Sequence, residues 1–207
     1  MMQQTATRRA AMGGARIGLF GGTFDPPHLG HLAAAHSVRE ELGLDEVWLV
    51  VANDPWQKQG TRSVTPAATR LEWVTQAVAG IDGLQVCDVE MERGGPSYTI
   101  DTLEELSDKY PGNAWLVVVG ADAAAGLDSW HRAEDLRARA EIVVVTRPGE
   151  FAEPSSGWKT ILVETPALDV SSSQLRSMVA QGKSIRFLVP DGVVELVTSS
   201  GAYRQVS

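Results

Sequence analysis

The sequence predicts a doubly wound parallel α/β sheet followed by a small helical appendage, and three observations carry that reading. Short β-type runs alternate with helical segments from about residue 16 to residue 163, the runs are apolar at consecutive positions, and beyond about residue 165 only helical patterns remain. Consecutive apolar residues mark strands covered on both faces, and alternation with helices implies crossover connections between parallel neighbours.

In chain order, strands are expected at Arg16–Gly21, Glu46–Val51, Leu84–Val86, Trp115–Val119, Glu141–Val145 and Thr160–Val163. His28–Leu42 reads as a helix because Leu32, Ala35, Val38 and Leu42 share one stripe, and Gly43 supplies its stop. Thr65-Pro66 opens a second helix, with Leu71, Val74 and Val78 in line before Gly80. Thr99–Lys109 carries Ile100, Leu103 and Leu106 and ends ahead of Pro111-Gly112. Ser172–Ala180 and Pro190–Thr198 each begin at a serine or proline and are followed by Gly182 and Gly201. Helices this short are not stable alone, so they are expected to cap the α/β core. Residues 1–14 read as a disordered tail, 15–165 as the core, and 166–207 as a helical cap in the same domain. Gly149–Gly157, with Pro154, Ser155 and Ser156, reads as a surface loop.

Composition narrows the function. A chain of 207 residues hides about 70% of its unfolded surface, enough for a core without cross-links. The single cysteine, Cys87, excludes a disulfide framework and any multi-cysteine metal site, and it suits a reducing cytoplasm. A net charge of −8 disfavours nucleic acid and anionic membrane as partners. The longest apolar runs, Val47–Ala52 and Trp115–Val119, fall far short of the ~20 residues of a membrane span. Arg8-Arg9 is followed by Gly-rich sequence rather than the apolar stretch of an export signal.

Between the first strand and the first helix stands Gly21-Gly22-Thr23-Phe24-Asp25-Pro26-Pro27-His28-Leu29-Gly30-His31-Leu32. In a doubly wound sheet, ligands settle beyond the carboxyl ends of the strands, and this turn is such a place. Glycines let backbone N–H groups approach a ligand, and the helix behind them presents its positive end. His28 and His31 then fall on one face of the first helical turn. A pair so spaced could bind zinc with carboxylates or water completing the set, or could donate to polyphosphate; the second suits the glycine turn better. No G-x-G-x-x-G stands here, so a dinucleotide fingerprint is excluded.

The same run closely resembles the GGxFDPxHxGH signature of the nucleotidyltransferase α/β-phosphodiesterase superfamily, and further segments resemble its bacterial nicotinate-nucleotide adenylyltransferase branch. Val170-Ser171-Ser172-Ser173-Gln174-Leu175-Arg176, by itself a capped helix start, is similar to the ISSTxIR motif that holds the β- and γ-phosphates of ATP. Arg93-Gly94-Gly95-Pro96-Ser97-Tyr98-Thr99-Ile100-Asp101-Thr102-Leu103 is similar to the branch's RxGPSYTxDTL segment, where donors near the threonine receive the nicotinate carboxylate. Gly120-Ala121-Asp122 matches a GxD motif that meets ribose, and Arg147-Pro148-Gly149 matches an RPG turn beside adenine. Trp130 could pack on the core or, as in the family, stack on the pyridine ring.

The resemblance implies a Rossmann-like core and transfer of AMP from ATP to nicotinate mononucleotide, giving nicotinate adenine dinucleotide and pyrophosphate in NAD biosynthesis. It implies catalysis by His31, His28 and Arg176, and an ATP site of Gly21, Gly22, Thr23, Phe24, His28, His31, Ser172, Ser173 and Arg176. For the mononucleotide it implies Lys58, Tyr98, Thr99, Gly120, Asp122 and Trp130. Mg²⁺ is expected with ATP as its counter-ion, and no protein-held metal is expected. One loop departs from the pattern: Asp54-Pro55-Trp56-Gln57-Lys58 stands where the family has PPHK, so a neutral amide replaces a histidine. Two other readings stay open, an enzyme using nicotinamide mononucleotide or both mononucleotides, and a silent nucleotide-binding protein of the same fold. Homo-oligomer formation is likewise open. With a net negative chain and anionic ligands, binding must come from local cationic groups and helix N-termini at residues 21–31 and 172–176.

Overall fold

A computed structural model of the chain describes residues 14–55, 63–149 and 157–204. Six parallel strands form one sheet: β1 (Arg16–Gly22), β2 (Glu46–Val51), β3 (Leu84–Cys87), β4 (Ala114–Gly120), β5 (Glu141–Thr146) and β6 (Thr160–Glu164), in the order β3-β2-β1-β4-β5-β6. The order reverses at β1. From β1 the chain moves to β2 on one side, and β4 takes the place on the other, with Phe20 aligned to Leu49 in β2 and to Val118 in β4. Connections leaving β1 and β4 therefore diverge, and the crevice between them is where ligands bind in such sheets.

The inner strands bury both faces by simple alternation, whereas the edge strand β6 buries Val163 and leaves Leu162 54% exposed. Leu116 and Val118 of β4 enter one core cluster with Phe20 and Leu49, while Val117 and Val119 enter the other with Leu19 and Val50. The first cluster is covered by α1 (Leu29–Leu42), α2 (Ala67–Val78), α7 (Ser172–Ala180) and α8 (Asp191–Ser200), which contribute Val38, Trp73, Leu175 and Val193. The second is covered by α3 (Val89–Arg93), α4 (Thr99–Lys109), α5 (Ala121–Ala124) and α6 (Ala133–Arg139), with a single 3₁₀ turn at Leu127–Ser129. Their contributions include Val89, Ile100, Leu103, Ala124, Leu127 and Leu136.

The strands agree with the expected positions: β2 matches at both ends, and the other five are longer by one residue at one end or, in β4, at each end. His28 is the extended N-cap of α1 rather than its first helical residue, and Pro66 caps α2 in the same way. Gly43 closes α1 in the left-handed conformation and donates to the Arg39 and Glu40 carbonyls. Helices α3, α5 and α6 were not foreseen. They are five, four and seven residues long, too short for an apolar stripe to repeat. The two C-terminal helices lie on the first core cluster, with Val170, Leu175, Ile185, Val189, Val193 and Val197 buried there. Among the described residues, no helix is long and apolar enough to cross a membrane.

Candidate active site

Residues 23–28 leave β1 as irregular chain, yet all but Thr23 of that stretch are buried. Phe24 is 2% exposed and its ring closes over Gly22, where a Cβ would meet ring atoms at 2.7–3.0 Å. The second glycine of the motif is thus required by the Phe24 ring. Phe24 itself adopts φ +48°, a left-handed conformation uncommon for a bulky residue. The loop then passes through a cis Asp25–Pro26 bond and enters α1 at His28.

His28 and His31 are stacked, with ring centroids 3.6 Å apart and planes inclined by 26°. Phe24 meets the His31 ring edge-on at 5.0 Å. A Cβ on Gly30 would lie 3.0 Å from His28 Nδ1 and 3.1 Å from its Cε1, so glycine between the histidines is what lets the first ring lie over the helix start. The His28 backbone N–H donates to His31 Nδ1 at 3.1 Å. Neutral imidazole carries one proton, so His31 must hold it on Nε2 and present that N–H as a donor. Burial, aided by the positive charge of Arg147, lowers the His28 pKa to about 4. Burial and then the neighbouring His28 hold His31 well below the ordinary histidine range. In the free protein at neutral pH both rings are uncharged.

The start of α7 lies directly against this loop. Ser171 caps the helix by accepting from the Gln174 N–H, Ser172 Oγ donates to the Pro26 carbonyl at 2.8 Å, and Arg176 Nη1 donates to the Asp25 carbonyl at 2.8 Å. Arg176 Nη2 reaches Ser173 Oγ, also at 2.8 Å. Two helix N-termini, those of α1 and α7, thereby converge beside the histidine pair, an arrangement suited to anions.

A pocket of about 170 Å³ opens at the crevice between β1 and β4. Gly21, Gly22 and Thr23 line it from β1 and its loop, Val117–Gly120 from β4, and Ala52 and Pro55 from the chain after β2. The far wall is Ser97, Tyr98 and Thr99 at the start of α4, with Trp130 and His131. Tyr98 and His131 are stacked at 4.1 Å. Behind the wall, Glu90 Oε1 accepts from the Thr102 hydroxyl at 2.7 Å, and Thr102 Oγ1 accepts from Arg93 Nη2 at 3.0 Å. This relay joins α3 to α4 and fixes the end that carries Thr99. Asn53 and Asp54 are tied to the same wall, through Asn53 Nδ2 to the Gly95 carbonyl at 2.9 Å and the Ser97 N–H to the Asp54 carbonyl at 3.0 Å.

The fold thus brings Gly21, Gly22, Thr23, Tyr98, Thr99, Gly120 and Trp130 to one pocket, and His28, His31, Ser172, Ser173 and Arg176 to the loop that borders it. Asp122 does not line that pocket and sits exposed in the first turn of α5. Phe24 serves as packing behind His31. Lys58, with Trp56 and Gln57, lies outside the described residues. Sequence reasoning missed Arg70. It is 1% exposed and donates to the carbonyls of Thr65 at 2.7 Å, Thr23 at 2.8 Å and Asn53 at 3.2 Å. The available signal was an arginine on the buried stripe of α2, in line with Val74 and Val78. It also missed the pocket residues Glu90, Ser97 and His131 and the buried Asp25.

A cytidylyltransferase-like family model matches residues 19–178. The chain is 45% identical over 188 residues to a "probable nicotinate-nucleotide adenylyltransferase" of Exiguobacterium sibiricum, covering 91% of this chain and 98% of that one. A protein of the same name from Corynebacterium kroppenstedtii is 40% identical over 192 residues, covering 91% and 90%. The fold is also that of Plasmodium falciparum nicotinic acid mononucleotide adenylyltransferase complexed with NaAD, with a TM-score of 0.77 at 20% identity over 91% of this chain and 97% of that chain.

The depressed histidines set a pH dependence. Between pH 4 and 6.5 the unfolded chain binds a proton at residue 28 that the folded protein refuses, so stability is full above about pH 6.5 and falls on acidification toward pH 4. One such proton corresponds to at most about 1.4 kcal/mol per pH unit. Urea denaturation of wild type and His28→Gln at pH 7, 6 and 5 is expected to show the shallower decline in the variant; equal slopes would contradict the assignment.

Proposed function

The chain belongs to the cytidylyltransferase-like family and, within it, to the nicotinate-nucleotide adenylyltransferases, and on that premise we propose that its cleft transfers AMP from ATP to nicotinate mononucleotide, in the cytoplasm, as a step of NAD biosynthesis. The observation that carries the reading is the convergence of Thr99 and Trp130 on one pocket, with the His28–His31 pair and α7 beside it.

In the proposed arrangement the pyridine ring lies against the Trp130 face, and its carboxylate meets the Thr99 hydroxyl and the positive end of α4. Gly120 borders the ribose, with Asp122 beyond it, and Lys58 is assigned to the acceptor phosphate. ATP is assigned to the β1 loop and α7. An oxygen of the mononucleotide phosphate attacks the α-phosphorus of ATP. A new P–O bond forms, the bond from the α-phosphorus to the bridging oxygen breaks, and that oxygen leaves with the electron pair as pyrophosphate. The nucleophile is already anionic, so alignment and charge stabilisation suffice.

His31 donates its Nε2 proton as a hydrogen bond to the α-phosphoryl oxygen, and His28 supports the bridging and β-oxygens. Ser172, Ser173 and Arg176 steady the departing pyrophosphate; Arg176 does so while anchored to the motif loop. Among the described residues, no group of three or more His, Cys, Asp and Glu could hold a metal ion. Mg²⁺ is assigned to the substrate, as the counter-ion of the triphosphate, because it dehydrates reluctantly and favours phosphate and water oxygens. We read 15–165 and 166–207 as one domain, because the phosphate site draws on both.

Two measurements test this. Steady-state release of pyrophosphate from ATP is expected to show a higher kcat/KM with nicotinate mononucleotide than with nicotinamide mononucleotide; equal or greater values for the amide would overturn the substrate assignment. His31→Ala is expected to lower kcat by about 10²–10³ while circular dichroism stays unchanged, the usual effect of removing one donor from a developing negative charge. Near-normal turnover would remove His31 from its role.

A further inference from the structure

Asp25 lies inside the motif loop, between the glycine turn and the histidines, and is 1% exposed. Its carboxylate accepts a hydrogen bond from the hydroxyl of Tyr203, 178 residues further along the chain. Tyr203 follows the glycine that closes α8 and adopts φ +65°, a conformation a tyrosine takes only where its surroundings hold it there. Its ring meets Trp73 edge-on at 6.0 Å, and Trp73 is 1% exposed in the core. Thr65 Oγ1 lies 3.5 Å from the Tyr203 hydroxyl, and the Thr65 carbonyl accepts from Arg70, which also holds Thr23 at the start of the same loop. Burial, with the hydrogen bond to Asp25, pushes the Tyr203 phenol well above its usual range, so it keeps its proton and remains a donor.

We propose that Tyr203 is a positioning residue for adenylyl transfer: through its hydroxyl it fixes the Asp25 carboxylate, and with it the loop that delivers His28 and His31 to the α-phosphate. The proposal rests on the reading of the cleft given above. It extends that reading to a residue outside the family-model match, which ends at residue 178. The C-terminal segment thus contributes more than the apolar cover of α8. It supplies a polar latch to a buried stretch of chain that cannot obtain hydrogen bonds from the sheet. The Thr99–Trp130 wall belongs to α4 and the chain after β4, so the latch governs alignment at phosphorus rather than capture of the pyridine ring.

Tyr203→Phe removes the hydroxyl and keeps the ring against Trp73. In full-length protein assayed with ATP, Mg²⁺ and nicotinate mononucleotide, this variant is expected to lose about tenfold or more in kcat, since small misplacements of aligned groups carry losses of that order. KM for nicotinate mononucleotide is expected to stay unchanged. Tyr203→Phe combined with Asp25→Asn is expected to be no slower than Asp25→Asn alone, because the two groups act as one unit. Wild-type kcat in Tyr203→Phe, a loss matched entirely by the unfolded fraction at the assay temperature, or multiplying effects of the two substitutions would each overturn the proposal. A wild-type protein that released no pyrophosphate would instead overturn the reading of the cleft, and the latch with it.

Discussion

The structure depends on hiding an irregular stretch of backbone. Residues 24–28 are buried without belonging to a strand or to the body of a helix. Buried carbonyls and carboxylates need partners, and an unmet one costs about 1–3 kcal/mol. The sheet cannot supply them here, so side chains do: Arg70 takes the Thr23 carbonyl, Arg176 the Asp25 carbonyl, Ser172 the Pro26 carbonyl and Tyr203 the Asp25 carboxylate. Three of these four donors come from the chain after residue 165. Helices too short to stand alone are thereby anchored to the core by polar contacts as well as by Leu175, Val193 and Val197.

A loop fixed in this way holds the two imidazoles without freedom to adjust. Stacked at 3.6 Å over Gly30, the rings cannot both be charged in a dry setting, and burial keeps them neutral. In the proposed arrangement, positive charge for the phosphates comes from Arg176 and from the N-termini of α1 and α7, while His31 contributes a directed N–H. That division suits a reaction whose nucleophile needs no base. In that reading the donor sits where charge develops, and it requires no proton uptake to function.

Much of this was legible in the sequence because it is local. The strands announce themselves by runs such as Leu116–Val119, and the His28-Leu29-Gly30-His31 spacing brings both rings to the start of α1, with His28 as its N-cap. What stayed hidden is either short or distant. Helices α3, α5 and α6 offer no repeating stripe, and their burial through Val89, Ala124 and Leu136 is decided by the sheet they cover. Glu90, a single acidic residue in an ordinary stretch, acquires meaning only when Thr102 and Arg93 surround it. Tyr203 is separated from Asp25 by 178 positions, and no periodicity links them. Arg70 was the nearest to detectable, as a charge among apolar neighbours of an amphipathic helix. The contacts of Ser172 and Arg176 with the motif loop were equally unreadable: nothing in the local sequence of a capped helix start says that its side chains brace a loop some 146–151 positions earlier.

The central claim is that the fold delivers His31 as a neutral imidazole with its proton on Nε2, because Nδ1 is taken by the His28 backbone N–H. Nitrogen-15 NMR of histidine-labelled protein, with the His31 resonances identified by comparison with His31→Ala, tests this at pH 7 without any ligand. The account predicts a protonated Nε2 and a bare, hydrogen-bonded Nδ1. An imidazolium, or a neutral ring with its proton on Nδ1, would contradict it.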